Sequence, residues 1–230
     1  MSLSPDDPIA AEEIRRRYLE VDASNVADVL DELGLPDQGL SPAFLPFPAD
    51  AGKLAGWAYT IRGEMRAYPL EARDPDKMKA CAGLKQGEVS VWSGEGAGVC
   101  FFGELIAIGM KERGSVGALV DGGIRDVAWI AKQGFPVYAR YRTPVQSIGR
   151  WKVTGWGEPV PMPGATCEHV TVNPGDFILA DDDGAICIPR SLAVQVLEEA
   201  ERLGAREVQI REELGQGLSL ADALKKFGAV

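Results

Sequence analysis

Glu104, Arg125 and Asp126 are the residues of this 230-residue chain whose types and spacing could do chemistry together. In VDGGIRDVAWI (120–130) an apolar run reaches Asp121, two glycines turn the chain, and Arg125 and Asp126 stand where a helix is expected to begin. Ligands of open α/β sheets collect beyond the carboxyl ends of the strands. Arg125 would bring a fixed guanidinium for a carboxylate or enolate oxygen, and Asp126 a hard oxygen ligand for a divalent cation. Spacing alone also allows a plainer reading, with Asp126 capping its helix and Arg125 in a surface ion pair. Glu104 lies 21 positions before Arg125, about one helix plus one strand. The chain is therefore expected back at the same sheet edge, with Glu104 facing Asp126. Alone, Glu104 would only complement a helix dipole. Together the three suit a Mg²⁺ that keeps several of its waters.

The loop SGEGAGVCFFGEL (93–105) is the next candidate. Gly94, Gly96 and Gly98 let backbone amides approach a ligand, and the loop enters a helix near Gly103 whose first amides lack intrahelical partners. A small carboxylate suits it, since the lysine and hydroxyl of a P-loop and the spacing of a dinucleotide fingerprint are absent. A plain flexible turn fits equally well. His169 is the only histidine; in CEHVTV it reads as an ordinary surface residue. The acidic run ADDDGAICIPR (180–190) lacks EF-hand spacing and reads as a tight turn at Asp183-Gly184 between two strands.

The elements that must position these residues show as periodicities. A first helix covers about 9–21; NVADVLDELG is a second, capped by Ser24 or Asn25 and stopped at Gly34. Residues 35–53 read as a long ordered loop, and LAGWAYTIRG as a strand with Ala55, Trp57, Tyr59 and Ile61 on one face. Pro75 opens a short helix. Strands at 88–92, 116–121 and 135–140 then alternate with helices at 102–114 and 126–134, which implies parallel pairing through right-handed crossovers. Short strands follow in WKVTGW, VTV, DFILAD and AICIP, and the chain closes in helices over 190–228. A single α/β domain over 1–230 is expected, with a core at about 24–190 and helical arms on either side.

Composition narrows the function. Apolar residues at 46% and charged residues at 25% match an ordinary globular protein. The net charge of −10, with ten acids against three arginines in residues 1–40, argues against docking on phosphate backbones. No stretch approaches a membrane span, and the start MSLSPDDPIAAEEI has neither region of a signal peptide. Cys81, Cys100, Cys167 and Cys187 are widely spaced, as reduced thiols of a cytoplasmic protein would be.

The segment GELIAIGMKERGSVGALVDGGIRD, followed by VNPGDFILADDDGAICIPR, resembles the RraA-like family from about Val26 to Pro189. That family includes class II pyruvate aldolases acting on 4-hydroxy-4-methyl-2-oxoglutarate and 4-carboxy-4-hydroxy-2-oxoadipate. The resemblance implies an α-β-β-α sandwich assembled as homotrimers, or hexamers of two trimers, with the site between neighbouring subunits. It implies Mg²⁺ or Mn²⁺ held directly by Asp126, with Glu104 acting through water. Arg125 would hold the keto oxygen of a small 2-oxo acid, and Gly103, Glu104, Leu105 and Ile106 its carboxylate, chiefly through the amides of Leu105 and Ile106. The implied reaction is retro-aldol cleavage or oxaloacetate decarboxylation through a pyruvate enolate, with no Schiff-base lysine. Tyr68 and Trp129 are candidates for reading the rest of the substrate. The other function in the family is inhibition of ribonuclease E. The aldolases usually carry Asp where this chain has Glu104, and the regulators an acid where it has Trp129, which weakens the regulator reading. The methyltransferase name attached to the family finds no convincing adenosylmethionine-type glycine loop here.

Overall fold

The computed structural model describes residues 4–94 and 96–228. Its centre is a run of parallel strands: β2 (Leu54–Met65), β3 (Glu88–Ser93), β5 (Gly117–Ile124) and β6 (Val137–Arg142). Antiparallel strands extend it on both sides. β1 (Leu45–Phe47) joins β6, while β10 (Phe177–Asp181) joins β2 and carries β11 (Gly184–Ile188). Short β4 (Cys100–Phe102) runs parallel to the end of β5, and β7 (Trp151–Trp156) lies antiparallel on β2. A separate ribbon pairs β8 (Val160–Pro163) with β9 (His169–Val172).

The mixed sheet curls until it is nearly a closed barrel, which gives it an inside and an outside. Alternation along β2 shows the consequence. Leu54 and Ala58 enter an inner core with Val89, Val91, Leu119, Tyr138, Ile178 and the ribbon's Val160, Met162, Val170 and Val172. Ala55, Trp57 and Ile61 point outward, as the sequence pattern predicts, but they are buried too because helices cover the outer face. Helices α1 (Pro8–Tyr18), α2 (Ala23–Glu32) and α6 (Ala193–Gly215) cover one part through Ile14, Tyr18, Val26, Leu30, Val196 and Leu197. Helices α3 (Pro75–Ala82), α4 (Glu104–Lys111) and α5 (Val127–Lys132) cover another, over Trp92, Phe101, Phe102 and Trp151. The expected α/β architecture holds, and α7 (Leu220–Phe227) ends the described helices.

Several local expectations need correction. Helix α2 begins at Ala23, so Ser24 and Asn25 lie inside it; the carboxylate of Asp181 accepts the Ala23 N–H at 2.8 Å and does the capping. Gly34 does leave the helix in the left-handed region, at φ +78°. The 35–53 loop contains β1, and β8 was not anticipated. Gly122 and Gly123 do not turn the chain: β5 runs straight through them to Ile124. A Cβ on Gly122 would meet the Phe101 ring at 2.3 Å, so the glycine is there for close packing. At 180–190 a tight turn joins two strands as expected, but one residue earlier, at Asp182-Asp183, with Asp181 paired to Gly184 in the β10–β11 hairpin.

Candidate active site

The site rests on two strands that end together. β4 pairs with β5 through Cys100–Gly123 and Phe102–Ile124, and the Arg125 N–H donates to the Phe102 carbonyl at 3.1 Å. Phe101 stacks on Trp151 with ring centroids 4.2 Å apart, and Phe102 meets Trp92 edge-on at 5.8 Å. Burying each phenylalanine contributes roughly 1.5–3 kcal/mol, which fixes the backbone just before Gly103. Helices α4 and α5 therefore start side by side, at Gly103 and Asp126.

This placement brings the three expected residues together. The Glu104 N–H approaches Asp126 Oδ2 at 3.4 Å, and Arg125 Nε lies 3.4 Å from the same oxygen. Asp126 caps α5 through its backbone in the left-handed region (φ 61°), with its carbonyl accepting the Trp129 and Ile130 N–H groups. Its side chain makes no cap bond and is left to the cleft. The first helical bond of α4 runs from Ala107 N–H to the Gly103 carbonyl. The amides of Leu105 and Ile106 precede it and belong to the group a helix start leaves for a ligand.

A cleft of about 700 Å³ opens here, within the range of small-molecule sites. Its wall includes residues 100–106, Arg125, Asp126 and Trp129, together with Lys77, Met78 and Cys81 of α3 and its N-cap Asp74. Trp129 borders the cleft as anticipated; Tyr68 does not. The glycine loop is not the cradle expected of it. A Cβ on Gly94 would strike the Gly63 carbonyl, and one on Gly96 the Phe101 ring, so these glycines serve packing. The Gly96 carbonyl also accepts the hydroxyl of Tyr141. Glu95 lies outside the described residues. His169 sits on the ribbon beside Glu168 and takes no part in the cleft wall. Burial pushes the Cys81 thiol up to about 11 and also raises that of Cys100, so neither is a ready thiolate at neutral pH.

Lys77 went unnoticed in the sequence. It is 8% exposed, and burial holds its ammonium down to about 8. The signal was there: Lys77, Ala80 and Leu84 share one helical stripe, and a lysine on an apolar stripe is unusual.

For a divalent cation, the donors are the Asp126 carboxylate, more than a third exposed, and Glu104 at the first turn of α4. No group of three His, Cys, Asp or Glu converges among the described residues. That donor set fits Mg²⁺, which takes one or two carboxylates and fills its shell with water and substrate oxygen.

A curled α/β sheet with an acid, an arginine and two helix starts at one cleft defines the class. The chain belongs to the RraA-like family, whose description, Aldolase/RraA, matches residues 23–187. A relative from Halalkalibacterium halodurans named "Putative 4-hydroxy-4-methyl-2-oxoglutarate aldolase" is 33% identical over 127 residues, 54% of this chain and 57% of that one. The Legionella pneumophila protein DlpA is 26% identical over 220 residues, 92% of this chain and 33% of that one. The chain spans between a third and three fifths of the length of the curated relatives it matches. Among solved structures, one titled as "novel cellulases from microbes associated with the gut ecosystem" superposes with TM-score 0.78 at 28% identity, covering 89% of both chains. The RNA-processing inhibitor RraA from Thermus thermophilis superposes with TM-score 0.53 at 26% identity, covering 71% of this chain and 92% of that one. The family thus holds both aldolases and regulators. No described helix is long and apolar enough to cross a membrane.

Proposed function

We propose that the protein is a divalent-metal-dependent lyase that cleaves a small 2-oxo acid through a pyruvate enolate. The observation that carries this reading is the convergence of the Arg125 guanidinium, the Asp126 carboxylate and the α4 helix start on one cleft. Asp126 would hold Mg²⁺ or Mn²⁺, with Glu104 acting through water; the cation supplies Lewis-acid polarisation of the keto group. The amides of Leu105 and Ile106 receive the substrate carboxylate, aided by the α4 dipole. Arg125 faces the keto oxygen and stabilises it more as charge develops in cleavage, which lowers the barrier. Through the water it orients, Glu104 would take up the proton of the 4-hydroxyl in a retro-aldol step and return one to the enolate carbon. Loss of CO₂ from oxaloacetate would leave the same enolate on the same groups. Exposed Leu105 and Trp129 at the cleft mouth favour assembly as a homotrimer or hexamer, with a neighbour closing the site.

The test is pyruvate release from oxaloacetate and 4-hydroxy-4-methyl-2-oxoglutarate, coupled to lactate dehydrogenase, with Mg²⁺, Mn²⁺ or EDTA. Metal-dependent turnover is expected. Absence of turnover on both substrates with either metal removes these activities and brings forward the second reading, a non-catalytic regulator of an RNA-processing enzyme. The solved inhibitor of related fold favours that alternative.

A further inference from the structure

Lys77 is the one strongly buried cation of the cleft, and the proposed chemistry does not use it. It lies in the first turn of α3. The nearest acid in sequence, Asp74, is occupied with backbone donors: Oδ1 accepts the Lys77 N–H at 3.2 Å and Oδ2 the Val153 N–H at 3.0 Å. The Lys77 ammonium itself meets only a hydroxyl, Ser147 Oγ at 3.4 Å, and lies 5.7 Å from the ring centroids of both Trp92 and Trp151. Lysine ion pairs among the described residues are made by Lys53, Lys79, Lys225 and Lys226, not by Lys77. Trp92, whose ring it faces, is fully buried, and its Nε1 has no hydrogen-bond partner among the described residues.

A buried ammonium with no ion-pair contact is costly, and two aromatic faces, one hydroxyl and the Asp74 charge beyond ion-pair reach offset only part of that cost. Arg125, on the same cleft, is near enough for its charge to disfavour the Lys77 cation further. Arg125 already has the Asp126 carboxylate beside it, so an anion reaching Lys77 would relieve the buried ammonium. We propose that Lys77 is the specificity-determining residue of the cleft, its ammonium receiving a second carboxylate on the substrate at the end remote from Arg125. This assignment rests on the lyase reading for the keto-acid end. It names the residue that reads the second carboxylate carried by both proposed substrates, a residue outside the Glu104–Arg125–Asp126 set.

The experiment compares two unreactive ligands of equal chain length, 2-oxoglutarate and 2-oxopentanoate, by calorimetric titration with Mg²⁺ present. Wild type should bind 2-oxoglutarate at least about tenfold more tightly, each tenfold being 1.4 kcal/mol. Lys77→Met, of similar length and free of charge, should bring the ratio to about one by weakening 2-oxoglutarate alone. Lys77→Arg should keep most of the preference. An unchanged ratio in Lys77→Met, an equal loss for both ligands, or no binding of either to wild type overturns the proposal. If Lys77→Met does not fold, Lys77→Gln, which keeps a polar contact for Ser147, gives the same reading. Binding is measured without turnover, so an inactive wild type that still shows the Lys77-dependent ratio defeats the lyase reading and not this one.

Discussion

A Cβ on Gly103 would lie 2.9 Å from Asp126 Oδ2: the carboxylate occupies the space that a side chain at position 103 would need. Gly103 has φ −159°, an extended conformation open to any residue. Gly103→Ala should therefore fold normally and push the Asp126 carboxylate aside. A displacement of about 1 Å costs on the order of 10²-fold in rate. Pyruvate release should fall by that order while the thermal midpoint stays within a few degrees.

Gly122→Ala should do the reverse. Its Cβ would meet Phe101 Cε1 at 2.3 Å inside the core, with no exposed group to give way. Overpacking of this kind costs typically 1–3 kcal/mol, to be read from urea unfolding. The decrease should appear in a chain that still binds 2-oxo acids at low denaturant.

Asp126→Asn separates charge from conformation. At φ 61° the position lies in the left-handed region, which Asn tolerates better than most residues. Stability should stay near that of wild type, because the side chain makes no cap bond to α5 and the Asn side-chain oxygen can still accept the long Glu104 N–H contact. Mn²⁺ binding by calorimetry should vanish, and turnover should fall by about 10²-fold or more. Retained Mn²⁺ affinity would move the cation to other donors.

The Lys77 assignment has a pH signature. Burial lowers its folded value from 10.5 to about 8, so the ammonium is charged below that pH and lost above it. Cys81 on α3, Asp74 at its N-cap and Cys100 on β4 favour the charged form, while Arg125 opposes it. Affinity for 2-oxoglutarate should weaken as pH rises through about 8, and that step should disappear in Lys77→Met. The stability sign is opposite. Between about 8 and 10.5 the unfolded chain holds more protons, so Lys77's unfavourable effect on folding fades as pH rises. At pH 7 that effect is full, and Lys77→Met should raise the thermal midpoint.

How far the sequence could be read depended on the range of the interaction concerned. Glu104, Arg125 and Asp126 could be brought to one sheet edge beforehand because only a helix and a strand intervene, and those lengths are set by local periodicity. Asp126 also shows why residue type and role had to be separated. It caps α5 through its backbone, as the plainer reading held, while its side chain is left for the cleft. The glycines misled for the opposite reason: Gly96 and Gly122 look like turn residues in sequence, and only the Phe101 ring lying on both shows that they are packing residues.

By itself, then, the sequence determined the order of the main strands and helices, short β1, β4 and β8 aside, together with the parallel core of the sheet and the acid–arginine–acid set at its edge, since each follows from patterns a few residues to one crossover long. Only the tertiary structure decided that β10 and β11 add to β2 from more than a hundred positions away, that the sheet curls around its own core, and that α3 lowers Lys77 into the cleft between Trp92 and Trp151. Those outcomes depend on which distant apolar surfaces meet when the chain closes, and a local pattern records that a face is buried without recording against what.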